Sequence, residues 1–236
     1  MNIKGIVKDS LRYPFSDWKK ILLLGIIVLV SNLFSFSTSL RTLTLNLVII
    51  GLIIGILIFG YEFRIIKSSL DGVNEPPEFN AWIEMFVDGI KVSIVSFVYA
   101  IPAILIILVF IVSISSSNIS LNIGFVALIA ILYAIIVIPI LLMAIANMAN
   151  NDSKLGSAFR FHELINKIST KGWKNLIIWY IVTGIIYLII FSIGVVVTNI
   201  FSLINSIVGI VLVSLILNPY IYMYLSRSVA LFYMSE

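Results

Sequence analysis

The sequence predicts an all-α fold: a polytopic transmembrane helical bundle of about six spans arranged as three hairpins, with amphipathic helices on its cytoplasmic surface. Three observations predict it. Apolar residues make up 61% of the 236, charged residues 11%, and the mean hydropathy is +1.17, where a soluble domain of this size carries about a quarter charged residues. The apolar residues fall in runs of helical length, and about 20 residues cross a hydrocarbon layer of about 30 Å. The charges collect in the connectors: the stretch from Gly60 to Lys91 alone holds Glu62, Asp71, Glu75, Glu78, Glu84 and Asp88, and it contains Pro76-Pro77. That stretch reads as the main aqueous segment of one membrane domain covering residues 1–236.

Taken in order, residues 3–13 place Ile3, Ile6, Val7 and Leu11 on one helical face and Lys4, Lys8, Asp9 and Arg12 on the other, the pattern of a helix lying in the interface. Pro14 ends it, and Trp18, Lys19 and Lys20 follow as an interfacial anchor. Spans are predicted over 20–36, 43–63, 90–114, 121–148, 175–197 and 203–225. The second contains Gly51-x-x-x-Gly55 and Gly60, small residues of the kind that admit a neighbouring helix. Between the second and third spans, Phe79, Trp82, Ile83, Phe86 and Ile90 repeat at helical spacing, which predicts a second surface helix turning at Gly89 into the third span. Phe161, Leu164, Ile165 and Ile168 predict another such helix before Gly172 and the anchor Trp173-Lys174. Surface helix, hinge, lysine anchor and span pair thus recur three times, the outline of a threefold hairpin repeat.

Every Lys and Arg except Arg41 falls on one side of this arrangement. The charge rule therefore places both termini in the cytoplasm and the protein in the cell membrane as a multi-pass chain. The net charge of +4 does not form a soluble basic face, so nucleic acid is not expected. The expected partners are the lipid bilayer and a membrane or cytoplasmic protein; self-association is compatible with the sequence.

Cysteine is absent and His162 is the only histidine, which removes thiolate chemistry, disulfides and multi-His metal sites. No nucleotide-binding loop, dinucleotide fingerprint, nucleophile elbow or zinc-protease motif is present. No ionisable residue is expected at the middle of a span, which argues against an ion-coupled transporter. No catalytic residue, metal or cofactor is therefore expected, and the protein reads as non-enzymatic. Asp71, Glu75 and Glu78 do not have the spacing of a calcium loop. Asn118-Ile119-Ser120 fits a glycosylation sequon but hugs the membrane. Asn147 and Asn218, the latter followed by Pro219, are the candidates for buried polar contacts.

Tyr13-Pro14-Phe15, Gly60-Tyr61 with Arg64, Leu70-Asp71-Gly72, Pro76-Pro77-Glu78-Phe79, Trp82 and Asp88-Gly89-Ile90-Lys91 resemble an uncharacterised prokaryotic membrane family, the domain of unknown function 4013 (DUF4013). The likeness is most specific over the first 110 residues; beyond them it rests on hydropathy and the helix near Phe161. The resemblance implies a multi-span membrane protein with the central stretch as a shared feature. It carries no activity onto any residue. Two functions are consistent with the whole. In the first, the cytoplasmic surface helices contact lipid headgroups or a partner, with Tyr61, Arg64, Pro77, Phe79, Trp82 and Phe86 as the candidate interface. In the second, the protein is a facilitator for a small or lipid-like solute, with a cavity lined by Asn147, Asn218 and tyrosines.

Overall fold

The computed structural model describes residues 2–38, 45–113, 119–203 and 205–235; the side chains of 33–38, 45–48, 109–113, 119–123, 125 and 206 lie outside that description. Most of the described residues are helical, and no strand occurs among them. The elements are α1 (Ile3–Arg12), a 3₁₀ turn (Tyr13–Ser16), α2 (Trp18–Thr38), α3 (Leu45–Leu70), α4 (Trp82–Ser113), α5 (Ile119–Asn150), a 3₁₀ turn (Leu155–Phe159), α6 (Phe161–Lys171), α7 (Trp173–Ser202), α8 (Ser206–Leu212), a π turn (Val213–Leu217) and α9 (Asn218–Met234). Among the described residues, five stretches are long and apolar enough to cross a membrane: Ile49–Leu70, Trp82–Leu108, Val126–Asn150, Trp173–Ser202 and Ile207–Met234. The expected first span falls in α2, whose later side chains are outside the described residues, so it stands outside that count. Arg41, Asn118 and the link 115–118 also lie outside them.

Helix α9 is central. It buries Met223, Tyr224, Ser226 to Ala230, Phe232 and Tyr233, and it joins two apolar clusters. One gathers Phe63, Val95, Tyr99, the end of α5, Leu164, Ile168, Trp179 and Phe232. The other gathers Tyr13, Leu24, Val28, Ile58, Tyr61, Ile65, Met85 and Met223. By contrast, Leu52, Phe97, Leu105, Leu128, Ile131, Leu188 and Ile189 point outward from the bundle, a surface suited to hydrocarbon rather than water.

Helices α3 and α4 are held together by a reciprocal pair of glycines. A Cβ at Gly60 would overlap the Met85 carbonyl, and a Cβ at Gly89 would overlap the Ile56 carbonyl. Residues 60 and 85, and 56 and 89, therefore face each other across antiparallel helices at backbone contact, an approach only glycine allows. This corrects three expectations. Gly89 is not a hinge but a packing position inside one continuous helix, so 79–91 does not form a separate surface helix. Gly55 faces open space, so the contact of span two is made at Gly60. The threefold outline fails in its middle unit, because α1 and α6 are separate short helices whereas the corresponding stretch is the start of α4. Gly172, at φ +87°, is the expected sharp turn between α6 and α7.

The last span is also irregular. Pro219 has no N–H to give the carbonyl four residues back, and the helix widens into the π turn just before it. That carbonyl belongs to Leu215, and a Cβ at Gly25 would collide with it. Helix α2 thus packs its glycine against the point where the last span changes pitch.

Candidate functional site

The segment 71–81 between α3 and α4 carries the densest polar structure. Helix α3 ends in a Schellman motif: Gly72 takes φ +80°, Val73 N–H reaches the Ser68 carbonyl (3.0 Å) and Gly72 N–H the Ser69 carbonyl (3.1 Å). Beyond it, two prolines and the turn geometry leave the loop carbonyls without backbone partners, and buried carbonyls need donors. Side chains from other elements supply them in succession. Arg227 Nη1 donates to Val73 O (2.8 Å) and its Nη2 to Asn74 Oδ1 (2.7 Å). Tyr13 Oη donates to Glu75 O (3.2 Å), Lys20 Nζ to Pro76 O (2.7 Å) and Tyr61 Oη to Pro77 O (3.0 Å). Arg64 Nη2 closes the series on Asn80 Oδ1 (2.7 Å).

Arg227 is the hub. Only 3% of it is exposed, although it is the chain's last cation and sits on a helix of membrane-spanning length. A buried guanidinium is tolerated where its charge and donors are matched. Here Nε donates to Asp9 Oδ1 at 2.8 Å, two donors go to the loop, and the Tyr13 ring lies 4.9 Å from the guanidinium carbon. Burial pushes the Tyr13 phenol up from its ordinary range, so it stays protonated and keeps donating. One side chain thus ties α1, the central loop and α9 into a single cap, and Tyr220 Oη adds a bond to Leu11 O (2.9 Å).

The structure brings most of the expected interface residues together, facing partly inward. Tyr61 is fully buried and stacks on Phe79 with ring centroids 3.9 Å apart; Phe79 in turn meets Trp82 at 5.9 Å. Pro77, Phe79 and Phe86 are half-buried, and Trp82 is exposed. Arg64 leaves its buried Nη1 without a hydrogen bond among the described residues. Lys20 also pairs with Glu78 at 2.9 Å. Tyr61 therefore forms the inner wall of the cap, while Trp82 and, in part, Arg64, Pro77, Phe79 and Phe86 offer surface.

A second polar knot closes the same end. Asn147 is fully buried; its Nδ2 donates to Ser157 O (2.9 Å), and its Oδ1 accepts from Tyr233 Oη. Lys167 lies 3.5 Å from the centroid of the Tyr233 ring, and burial, followed by the nearby charge of Lys171, lowers its pKa from the ordinary lysine value. Asn218 is elsewhere. It is half-buried, with no hydrogen bond to its side chain among the described residues, and lines a cavity of about 300 Å³ with Gly194, Thr198, Asn199 and Leu217. Asn147 and the tyrosines do not line that space, so the single cavity expected from the sequence is not formed.

Two charged positions depart from expectation. Glu62, assigned to the aqueous stretch, lies within the crossing-length helix between fully packed Tyr61 and Phe63, with no ion pair or hydrogen bond among the described residues. Arg227, one of the cations that the charge rule assigns to the cytoplasmic side, is buried rather than free at the surface; its acid partner, Asp9, lies 218 residues away. No group of three or more His, Cys, Asp or Glu that could hold a metal occurs among the described residues.

No curated protein and no solved structure matches the chain. Residues 43–200 match the family described as Protein of unknown function (DUF4013), a match that takes in α3, the loop, Arg64 and the Gly60–Met85 and Gly89–Ile56 contacts and leaves Tyr13, Lys20 and Arg227 outside it. With two-thirds of its length matched and its apolar helices long enough to span a bilayer, the chain belongs to the DUF4013 family and is a membrane protein.

Proposed function

We propose that the protein is a multi-pass, non-enzymatic component of the cell membrane, with both termini cytoplasmic, whose cap contacts lipid headgroups or a partner protein. The single observation that carries this reading is the side-chain clamp on the loop from Val73 to Pro77, which pre-organises a connector that would otherwise be loose. The clamped cap supports outward-facing groups of the right kind. Lys4, Lys8, Arg12 and Lys19 are exposed on one side, with Phe15 and Trp18 beside them, and Trp82 and Ile83 on another. Cations next to exposed aromatics suit an anionic membrane surface. The test replaces Trp82 and Phe86 with Ser in the full chain purified from native membranes. Membrane insertion stays unchanged while recovery of co-purifying lipid or protein falls; an unaltered set of co-purified components would count against the reading.

A second reading, a facilitator for a small or lipid-like solute, draws on the cavity beside Asn218. An amide without a partner at membrane depth is costly, and a neighbouring π turn is a common companion of binding sites. Filling that space by Gly194→Leu abolishes uptake if the second reading holds and leaves it unaffected if the first does.

A further inference from the structure

We propose that the cavity beneath α1 binds the phosphate of an anionic phospholipid headgroup, an assignment that rests on the cap reading above and names its ligand. The cavity measures about 360 Å³ and is lined by Lys8, Asp9, Arg12, Ser16, Asn74 and Arg227, among others. Its charge is unbalanced. Three cations face one acid, and that acid is already engaged by Arg227 Nε. Lys8 and Arg12 are exposed and make no ion pair among the described residues. A guanidinium carries five N–H donors, and Arg227 directs three of them to Asp9, Val73 and Asn74. The second hydrogens of Nη1 and Nη2 have no acceptor among the described residues, on a buried side chain that lines the cavity. An anion with several oxygens, bridging Arg227, Arg12 and Lys8, satisfies these donors as phosphate groups do at arginine-rich sites.

The surroundings point to a lipid as the source of that phosphate. Ser16 on the cavity wall is flanked by Phe15, 72% exposed, and followed closely by Trp18, 63% exposed. Large aromatics left bare beside a basic cavity are suited to the headgroup boundary, where rings lie against acyl chains while cations hold the phosphate. A soluble phosphate ester would have no use for them.

The experiment measures thermal unfolding of the full chain in a neutral detergent, titrated with dihexanoyl phosphatidylglycerol, dihexanoyl phosphatidylcholine or glycerol 3-phosphate. Phosphatidylglycerol raises the midpoint in a saturable way and the other two do not. Lys8→Gln combined with Arg12→Gln, both on the exposed face, leaves the lipid-free midpoint in place and weakens the response about tenfold. Lys4→Gln, on the same helix but outside the cavity, leaves it unchanged. Equal stabilisation by glycerol 3-phosphate overturns the lipid assignment. Equal weakening by Lys4→Gln shows diffuse attraction to the basic helix, which overturns the site while leaving the cap reading intact. No response to phosphatidylglycerol also overturns the site, and the fate of the cap reading is then decided separately by the Trp82 and Phe86 variant.

Discussion

The two ends of the bundle are held together by different forces. At the capped end, directional bonds from charged and phenolic groups fix an irregular loop, and Asn147 fixes the turn after α5. At the far end, the contacts among the described residues include a close backbone approach, Gly209 against Thr198, and a polar pair in which Asn32 donates to Ser214 Oγ (2.8 Å). Between side chains as apolar as lipid tails there is little hydrophobic drive to associate, so small residues and hydrogen bonds must select the packing. Irregular backbone, in turn, is tolerated only where protein groups satisfy it. Among the described residues, the directional polar contacts are therefore densest at the capped end.

Substitutions at the two ends differ in their cost, beginning with the hub. Arg227→Leu removes the hydrogen bonds to Asp9, Val73 O and Asn74 that join three elements and should destabilise the protein by about 2–3 kcal/mol, read from the thermal midpoint in detergent. Gly60→Val forces a methyl group into the Met85 carbonyl and should cost about 1–3 kcal/mol, whereas Gly55→Val, which meets open space, should cost almost nothing. Asn147→Leu strands the Ser157 carbonyl and the Tyr233 hydroxyl in a buried site and should cost about 1–3 kcal/mol. Tyr61→Phe keeps the stack on Phe79 but releases Pro77 O, a loss of about 1 kcal/mol together with faster amide exchange around the loop. At the far end, Asn32→Ala should cost only about 0.6 kcal/mol, in line with interhelical hydrogen bonds inside membranes. A far-end effect as large as that of Arg227→Leu would dissolve the distinction between the two ends.

The helical course of the chain was legible from hydropathy because lipid selects runs of apolar residues whatever they touch. Asn147 was legible for the same reason: an amide in an apolar run needs a partner. Gly89 misled because a glycine at the junction of polar and apolar patterns looks like a bend, and only the facing Ile56 carbonyl reveals a packing position. The clamp itself was hidden. Pro76-Pro77 announced a loop with unpaired carbonyls, but the donors Tyr13, Lys20 and Arg227 come from both ends of the chain. No local pattern distinguishes a tail arginine that is solvated from one that is buried against Asp9.

The N-terminal helix, the loop after α3 and the last helix form one cap joined through Arg227. The chain has no cysteine, so Lys8→Cys on the cavity wall with Val73→Cys, an exposed position whose backbone carbonyl still accepts from Arg227, gives a clean pair for a short bifunctional thiol reagent in native membranes. The account predicts rapid crosslinking within one chain that is lost when Arg227→Leu is added. Absence of the crosslink, or an equal rate in the Arg227→Leu background, would contradict it.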